Sequence, residues 1–298
     1  MISSTYDKVK ESTWRSKLTD YVQLTKFRLS FLVVFSSLIA YLYAGEEYTS
    51  WVKGILLVLG GFFVTGSANA LNQLLEKNID KLMDRTKNRP LPTGRMSVLE
   101  ATLAAGLMGV LGLYILFLIN PITSAIGAMA LFLYAFVYTP MKQVSSFAVF
   151  LGAIPGALSP VLGWVAATGA LTYPAWIFFI IQFVWQFPHF WAIAWVSDHD
   201  YAKANIHLLP SEKGKDKIST YWILLSTIIL IPVSFIPSYM HLGGYFLITV
   251  TALADLVFLF QAYRLMRTGT DKSAYQLMFG SFLYLPLVQL ALLIDKLF

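Results

Sequence analysis

Residues 51–86 read WVKGILLVLGGFFVTGSANALNQLLEKNIDKLMDRT, and this stretch decides the fold. From Trp51 to Leu75 its one charged residue is Lys53, and a helix needs about 20 apolar residues to cross a bilayer. The stretch therefore predicts a transmembrane helix. Its far end changes character. Asn72, Glu76, Asp80 and Asp84 follow at four-residue intervals, so on a continued helix they share one face. Three carboxylates in one stripe at a bilayer end repel one another with little screening, and a positive group is expected among them. Hard oxygen ligands on successive turns suit Mg2+, which keeps several waters and binds substrate phosphates through one or two carboxylates. Glu76, Asp80 and Asp84 are the metal candidates here, and Arg85, Lys87 and Arg89 follow at once as candidates for a phosphate. The alternative is a solvated helix end whose carboxylates pair with Lys77, Lys81 and Arg85. It leaves Asn72 unexplained, because that residue carries the stripe into the apolar run, where a polar group is costly.

The rest of the chain repeats the pattern. Of 298 residues, 57% are apolar and 13% charged, where a soluble chain carries charge on about a quarter of its positions. Apolar blocks at 27–44, 51–75, 98–118, 121–139, 146–168, 173–196, 219–237, 243–264 and 275–294 predict an all-α polytopic membrane protein with nine transmembrane helices. Such continuous runs exclude a transmembrane β-barrel, whose strands alternate in character over about ten residues. Residues 1–26 are polar and mixed in charge, with no apolar signal core, and are expected to form a cytoplasmic N-terminal tail. Residues 27–298 are expected to form a single domain, since no linker divides them. The absence of Cys excludes disulfides, iron–sulfur clusters, thiolate zinc sites and a Cys nucleophile.

A net charge of +6 would suggest nucleic acid in a soluble protein, but here the basic residues sit in short loops, and no nucleic-acid partner is expected. With nine spans, all of the 22 Lys and Arg except Lys53 and Lys296 fall on the side of the N-terminus. The positive-inside rule makes that side cytoplasmic and puts the C-terminus opposite. The two long loops, after the second and sixth spans, lie on the same side, and long loops in a compact bundle are commonly functional.

The sixth span carries Gln182, Trp185, Gln186 and His189 on one face, which must turn toward the bundle interior or a cavity. Beyond it come Asp198, Asp200 and Tyr201, a second acidic group, and a metal bridged between two helix ends is its expected use. His189 alone reads more simply as a hydrogen-bonded interhelical histidine. Tyr138 and Lys142 lie at the cytoplasmic end of the fourth span, and Lys142 reads equally as a phosphate ligand or a snorkelling anchor. Gly152 and Gly156 form a small-residue packing face and Pro155 and Pro160 permit a bend, both structural readings. Asp255, in the middle of the eighth span, is either functional or a carboxyl bonded to a neighbouring helix.

In residue type, order and spacing these features resemble the intramembrane prenyltransferases of the UbiA superfamily. Three stretches carry the resemblance: Asn72 to Gly94, with Asp84-Arg85-Thr86 and Arg89-Pro90-Leu91-Pro92-Thr93-Gly94; Tyr138 to Gly163, with Tyr138-Thr139-Pro140-Met141-Lys142; and Trp185-Gln186-Phe187-Pro188-His189-Phe190 through Asp200-Tyr201. The last of these resembles the haem-farnesylating branch more than the quinone-prenylating one. There is one departure. Where the family usually reads Ala-Gly-x-Pro-Met-Leu-Pro, this chain has Ala204-Asn205-Ile206-His207-Leu208-Leu209-Pro210, which leaves the geometry of that loop open.

The resemblance implies a nine-helix bundle in which farnesyl diphosphate binds through Mg2+ to the acidic groups. It implies a catalytic role for Asp80, Asp84, Arg85 and Lys142, and metal contacts from Glu76, Asp80, Asp84, Asp198 and Asp200. Substrate contacts would come from Asn72, Arg89, Tyr138, Trp185, Gln186, His189 and Tyr201. The implied acceptor is the 2-vinyl group of haem b, with water quenching the resulting cation to give haem O. The implied setting is the lipid bilayer of a bacterial inner membrane, and the implied partners are a downstream haem O-modifying enzyme or a terminal oxidase assembly. An enzyme prenylating a quinone or chlorophyll precursor is the alternative. A transporter is a distant one, because it would gather its polar residues near the membrane midplane.

Overall fold

The computed structural model describes residues 14–297. Residues 1–13, half of the expected tail, lie outside the described residues. The helices are α1 Trp14–Leu24, α2 Phe27–Tyr43, α3 Trp51–Leu75, α4 Val98–Ile119, α5 Pro121–Met141, α6 Ala148–Thr168, α7 Tyr173–Lys203, α8 Lys217–Tyr239, α9 Tyr245–Thr268 and α10 Asp271–Leu297. From α3 onward each is long and apolar enough to cross a membrane, and α1 with α2, bent by 50° at their junction, supplies the ninth span. The protein is an all-α polytopic membrane protein.

The helix starts follow from local chemistry. Ser50, Ser97, Asn120 and Asp216 each accept a backbone N–H from three residues on, at 3.2, 3.0, 2.8 and 2.8 Å, which satisfies donors that the first turn of a helix leaves free. The end of α7 is more instructive. This helix passes its expected limit at 196 and carries Asp198, Asp200 and Tyr201 with it. It stops at Asn205, whose φ of 52° is left-handed. The N–H of Ile206 reaches the carbonyl of Tyr201 at 3.0 Å and that of Asn205 reaches Ala202 at 3.2 Å, the paired bonds of a Schellman cap. Asn is the residue after Gly that best tolerates this conformation. The departure from the family's usual Gly therefore leaves the turn intact.

α6 packs at the centre, against α2, α5 and α7. At Gly163 a Cβ would lie 1.8 Å from the carbonyl oxygen of Ser37, so here the backbones of α6 and α2 touch. Gly152 and Gly156, the glycines read as a packing face, have a different use. Cβ atoms there would come within 2.7 Å of the Tyr138 ring and 2.0 Å of Gln186 Oε1; these glycines make room for polar side chains rather than for a helix. Asp255 takes the interhelical reading, accepting hydrogen bonds from Tyr284 Oη at 2.6 Å and Ser234 Oγ at 2.8 Å and so joining α9 to α10 and α8.

Candidate functional site

The acidic stripe is only partly continued as helix. α3 ends at Leu75 and a short turn, Lys77–Asp80, follows it. Asn72, Glu76 and Asp80 stay on the inner face and are buried. After Asp80 the chain leaves the helical path, and the Asp84 side chain is 61% exposed. The loop from 81 to 97 is held against the bundle from several directions. Leu91 and Met96 pack with Leu24 and Ala70, Arg95 Nε donates to Asp20 at 2.9 Å, and Thr86 Oγ1 donates to the Asp80 carbonyl at 2.8 Å.

Each inner carboxylate meets a cation. Glu76 pairs with Lys142, and Asp80, fully buried, pairs with Arg89 at 2.7 Å. Removing one member of such a pair leaves a buried charge uncompensated, at a cost of about 3–5 kcal/mol, so each partner depends on the other. The second oxygen of Asp80, Oδ1, is buried with no partner. Lys142 comes from the last turn of α5, where Leu133–Tyr138 is wound as π-helix, a form that recurs at functional sites. Its ammonium stands 5.0 Å from the centre of the Tyr138 ring.

Lys26 belongs to this cluster and was hidden in the sequence among the basic residues of the tail. It occupies the break between α1 and α2 with φ of 48° and donates to Asn72 Oδ1 at 2.9 Å. Asn72 Nδ2 donates in turn to Thr139 Oγ1 at 3.1 Å. The signal for Lys26 was its place at the same end of its span as Asn72, 46 residues away.

The second acidic group docks onto the first. Asp200 accepts from the backbone N–H groups of Asp84 at 3.0 Å and Arg85 at 2.9 Å, and the Arg85 guanidinium lies 5.7 Å from the centre of the Tyr201 ring. Lys203 bridges Asp84 and Asp200. Hydrogen bonds from Lys203, then from Lys87, hold the Asp84 carboxyl down to about 2, so it is ionised throughout the neutral range. Asp198 is turned elsewhere, toward the loop at Gly214, where a Cβ would lie 3.4 Å from its Oδ1.

Among the described residues no three acidic or histidine side chains converge as a closed metal-holding group. The donor chemistry nevertheless suits Mg2+, which takes few ligands from protein and the remainder from water and substrate phosphate. The unpartnered Asp80 Oδ1 is an oxygen left for such an ion.

An apolar cavity adjoins these pairs, with Tyr134, Tyr138, Gln186, His189, Phe190 and Gln289 on its wall. Pro160 has no N–H, so the carbonyl of Gly156, four residues earlier, lacks its helical partner and accepts from Gln182 Nε2 at 2.8 Å instead. Gln182 also accepts from Ser36 Oγ at 2.7 Å and Gln289 Nε2 at 3.1 Å, while Gln186 Nε2 donates to the Ala153 carbonyl at 2.9 Å. His189 stacks on Trp185, ring centres 4.5 Å apart. Cations and carboxylates thus lie beside a greasy cavity, joined to it through Tyr138, and an imidazole lies on the cavity wall, a combination suited to a phosphate-headed lipid and an aromatic acceptor.

A model of the UbiA prenyltransferase family matches residues 33–285. The protoheme IX farnesyltransferase of Cytophaga hutchinsonii is 43% identical over 284 residues, covering 95% of this chain and 99% of the relative. That of Flavobacterium psychrophilum is 45% identical over 288 residues, covering 95% and 96%. Among solved structures, a digeranylgeranylglyceryl phosphate synthase superimposes with a TM-score of 0.78 at 20% identity, over 94% of this chain and 98% of that one. A UbiA homolog from Archaeoglobus fulgidus bound to GPP and Mg2+ gives 0.67 at 17% identity, over 92% and 99%. At those identities the two structures speak for the fold alone.

Proposed function

This chain belongs to the UbiA prenyltransferase family, and from that premise we propose that it transfers the farnesyl group of farnesyl diphosphate to the 2-vinyl group of haem b, with addition of water, giving haem O. One observation carries the reading: the buried pairs Glu76–Lys142 and Asp80–Arg89 lie beside an apolar cavity with His189 on its wall, and in this reading they form its mouth.

Departure of the diphosphate is the difficult step. The carbon–oxygen bond at farnesyl C1 breaks and its electron pair leaves with the diphosphate. Arg89 and Lys142, already oriented by their carboxylates, face that developing negative charge, and preorganised charges of this kind act without further reorganisation. Lys26, Arg85 and Asn72 extend the same polar mouth. Mg2+ held by carboxylates of the set Glu76, Asp80, Asp84 and Asp200 would supply further Lewis-acid stabilisation of the leaving group. The Tyr134 and Tyr138 rings flank the reacting end of the chain and stabilise allylic cation character.

The terminal carbon of the haem vinyl group then bonds to farnesyl C1. The positive charge passes to the vinyl carbon next to the porphyrin, where a water adds and loses a proton. Trp185 and His189 hold the porphyrin, His189 through its iron, and Gln186 and Tyr201 complete the contacts. The mouth faces the cytoplasm of a bacterium, as the distribution of Lys and Arg implies. Residues 27–298 act as one catalytic domain, and a haem O-modifying enzyme or terminal oxidase assembly takes the product.

The test is to incubate purified protein with haem b, farnesyl diphosphate and Mg2+ and to follow the haem by mass. A gain of one farnesyl and one water is expected. Unchanged haem, alongside prenylation of a quinone precursor, would overturn the reading.

A further inference from the structure

We infer that Ser281 is a positioning residue for His189, fixing the imidazole in its Nδ1–H form so that a bare Nε2 faces the iron of haem b. The inference rests on haem b being the substrate. Its evidence is a chain of hydrogen bonds with one consistent set of directions. Ser281, fully buried on α10, donates its single hydroxyl hydrogen to the carbonyl of Met278 at 2.6 Å. Its oxygen lies 2.7 Å from His189 Nδ1. With the serine hydrogen directed to Met278, we assign the hydrogen in the His189 contact to the ring.

A neutral imidazole carries one N–H, so Nε2 is then the nitrogen with the lone pair. The ring has uncharged surroundings. It lies flat on Trp185, with 16° between the planes, and meets the edge of Phe282 at 5.0 Å between centres. Nε2 has no protein partner among the described residues, and the ring lines the cavity. A histidine that ligates a metal through one nitrogen regularly donates from the other to a fixed acceptor, which sets both tautomer and orientation. Ser281 is itself fixed twice, because Trp185 Nε1 donates to its carbonyl at 3.1 Å. The stacked Trp185 and the serine beneath the ring thus form one cradle.

The experiment uses the full chain in detergent, loaded with haem b and reduced, and reads the iron–histidine stretch by resonance Raman together with haem affinity. Ser281→Ala should shift the stretch and weaken haem binding about tenfold or more, as loss of such a support does. Ser281→Thr, which keeps the hydroxyl, should restore the wild-type frequency, and farnesyl diphosphate affinity should be unchanged in both. In the haem-free wild-type protein, 15N NMR of labelled histidine should show His189 protonated at Nδ1 alone, a measurement independent of whether any variant folds. The opposite tautomer, or a Ser281→Ala protein with unaltered stretch and affinity, overturns the role given to Ser281. Loss of the band in His189→Ala would show that this is a failure at Ser281 and not of iron ligation. A His189→Ala protein that keeps the band overturns iron ligation, and the inference with it.

Discussion

The polar groups beside the cavity, its mouth in the proposed function, and those on its inner wall are made from different chemistry. At the mouth, Glu76 and Asp80 are paired with Lys142 and Arg89, and Asp80 keeps an oxygen unbonded. On the wall, Ser36, Ser159, Gln182 and Gln289 bond one another without a charge: Gln182 Nε2 reaches Ser159 Oγ at 2.9 Å and Gln289 Nε2 reaches Ser36 Oγ at 2.8 Å. Ion pairs hold side chains in place until another charge arrives to compete for them, which suits a region that binds and releases diphosphate. An uncharged amide and hydroxyl network presents no ion pair for an incoming charge to compete for and resists rearrangement, even though Gln289 Oε1 has no partner. The contrast suits the mouth to an exchangeable charged ligand and the wall to a fixed cavity shape.

Substitutions at three positions would break or sharpen that contrast. Asp80→Asn removes a charge and little volume at the mouth. Turnover should fall at least a hundredfold, about 2.7 kcal/mol of transition-state stabilisation, with haem affinity preserved in a binding titration. Near-normal turnover would make the pair merely structural. Gln182→Leu should act in the opposite sense. It removes one of the two donors to the Gly156 carbonyl and the oxygen that Ser36 Oγ and Gln289 Nε2 both donate to, at about 2 kcal/mol of stability, seen as a lower melting temperature in detergent, while farnesyl diphosphate affinity stays within about twofold. A large loss of that affinity would merge the two regions into one. The smallest effect is expected at Asn205. Asn205→Ala should cost about 1 kcal/mol for a left-handed residue without a helpful side chain, and Asn205→Gly should cost nothing, by the same melting measurement.

The spans were legible in the sequence because hydropathy over 20 residues is a local property, and so was the inner acidic face, because a four-residue spacing is a helical turn. Asp84 was not placed correctly on that face. Its departure depends on where the helix breaks, and the loop beyond the break is held by the packing of Leu91 and Met96 with Leu24 and Ala70, contacts between distant residues. Lys26 was hard to read for a related reason: its place at the same end of its span as Asn72 is shared by the other basic residues of the tail, and the fold alone singles it out by bringing it to Asn72. Gly152 and Gly156 were read as helix contacts because spacing reports a shared face and not what the face meets. For His189 the sequence could place the ring on a polar face but could not supply Ser281, 92 residues on, whose oxygen lies 2.7 Å from Nδ1.

The carboxyl of Asp255 has a consequence for how the chain is made. Its two partners lie on either side of it in the sequence, Ser234 21 residues before and Tyr284 29 residues after. A ribosome working from the N-terminus delivers α9 before α10, so the carboxyl reaches apolar surroundings with Ser234 in place and Tyr284 still to arrive. An acidic group in that position is costly, and the docking of the last helix lowers that cost. A chain truncated before Tyr284 would therefore leave the Asp255 carboxyl with Ser234 as its remaining partner of the two.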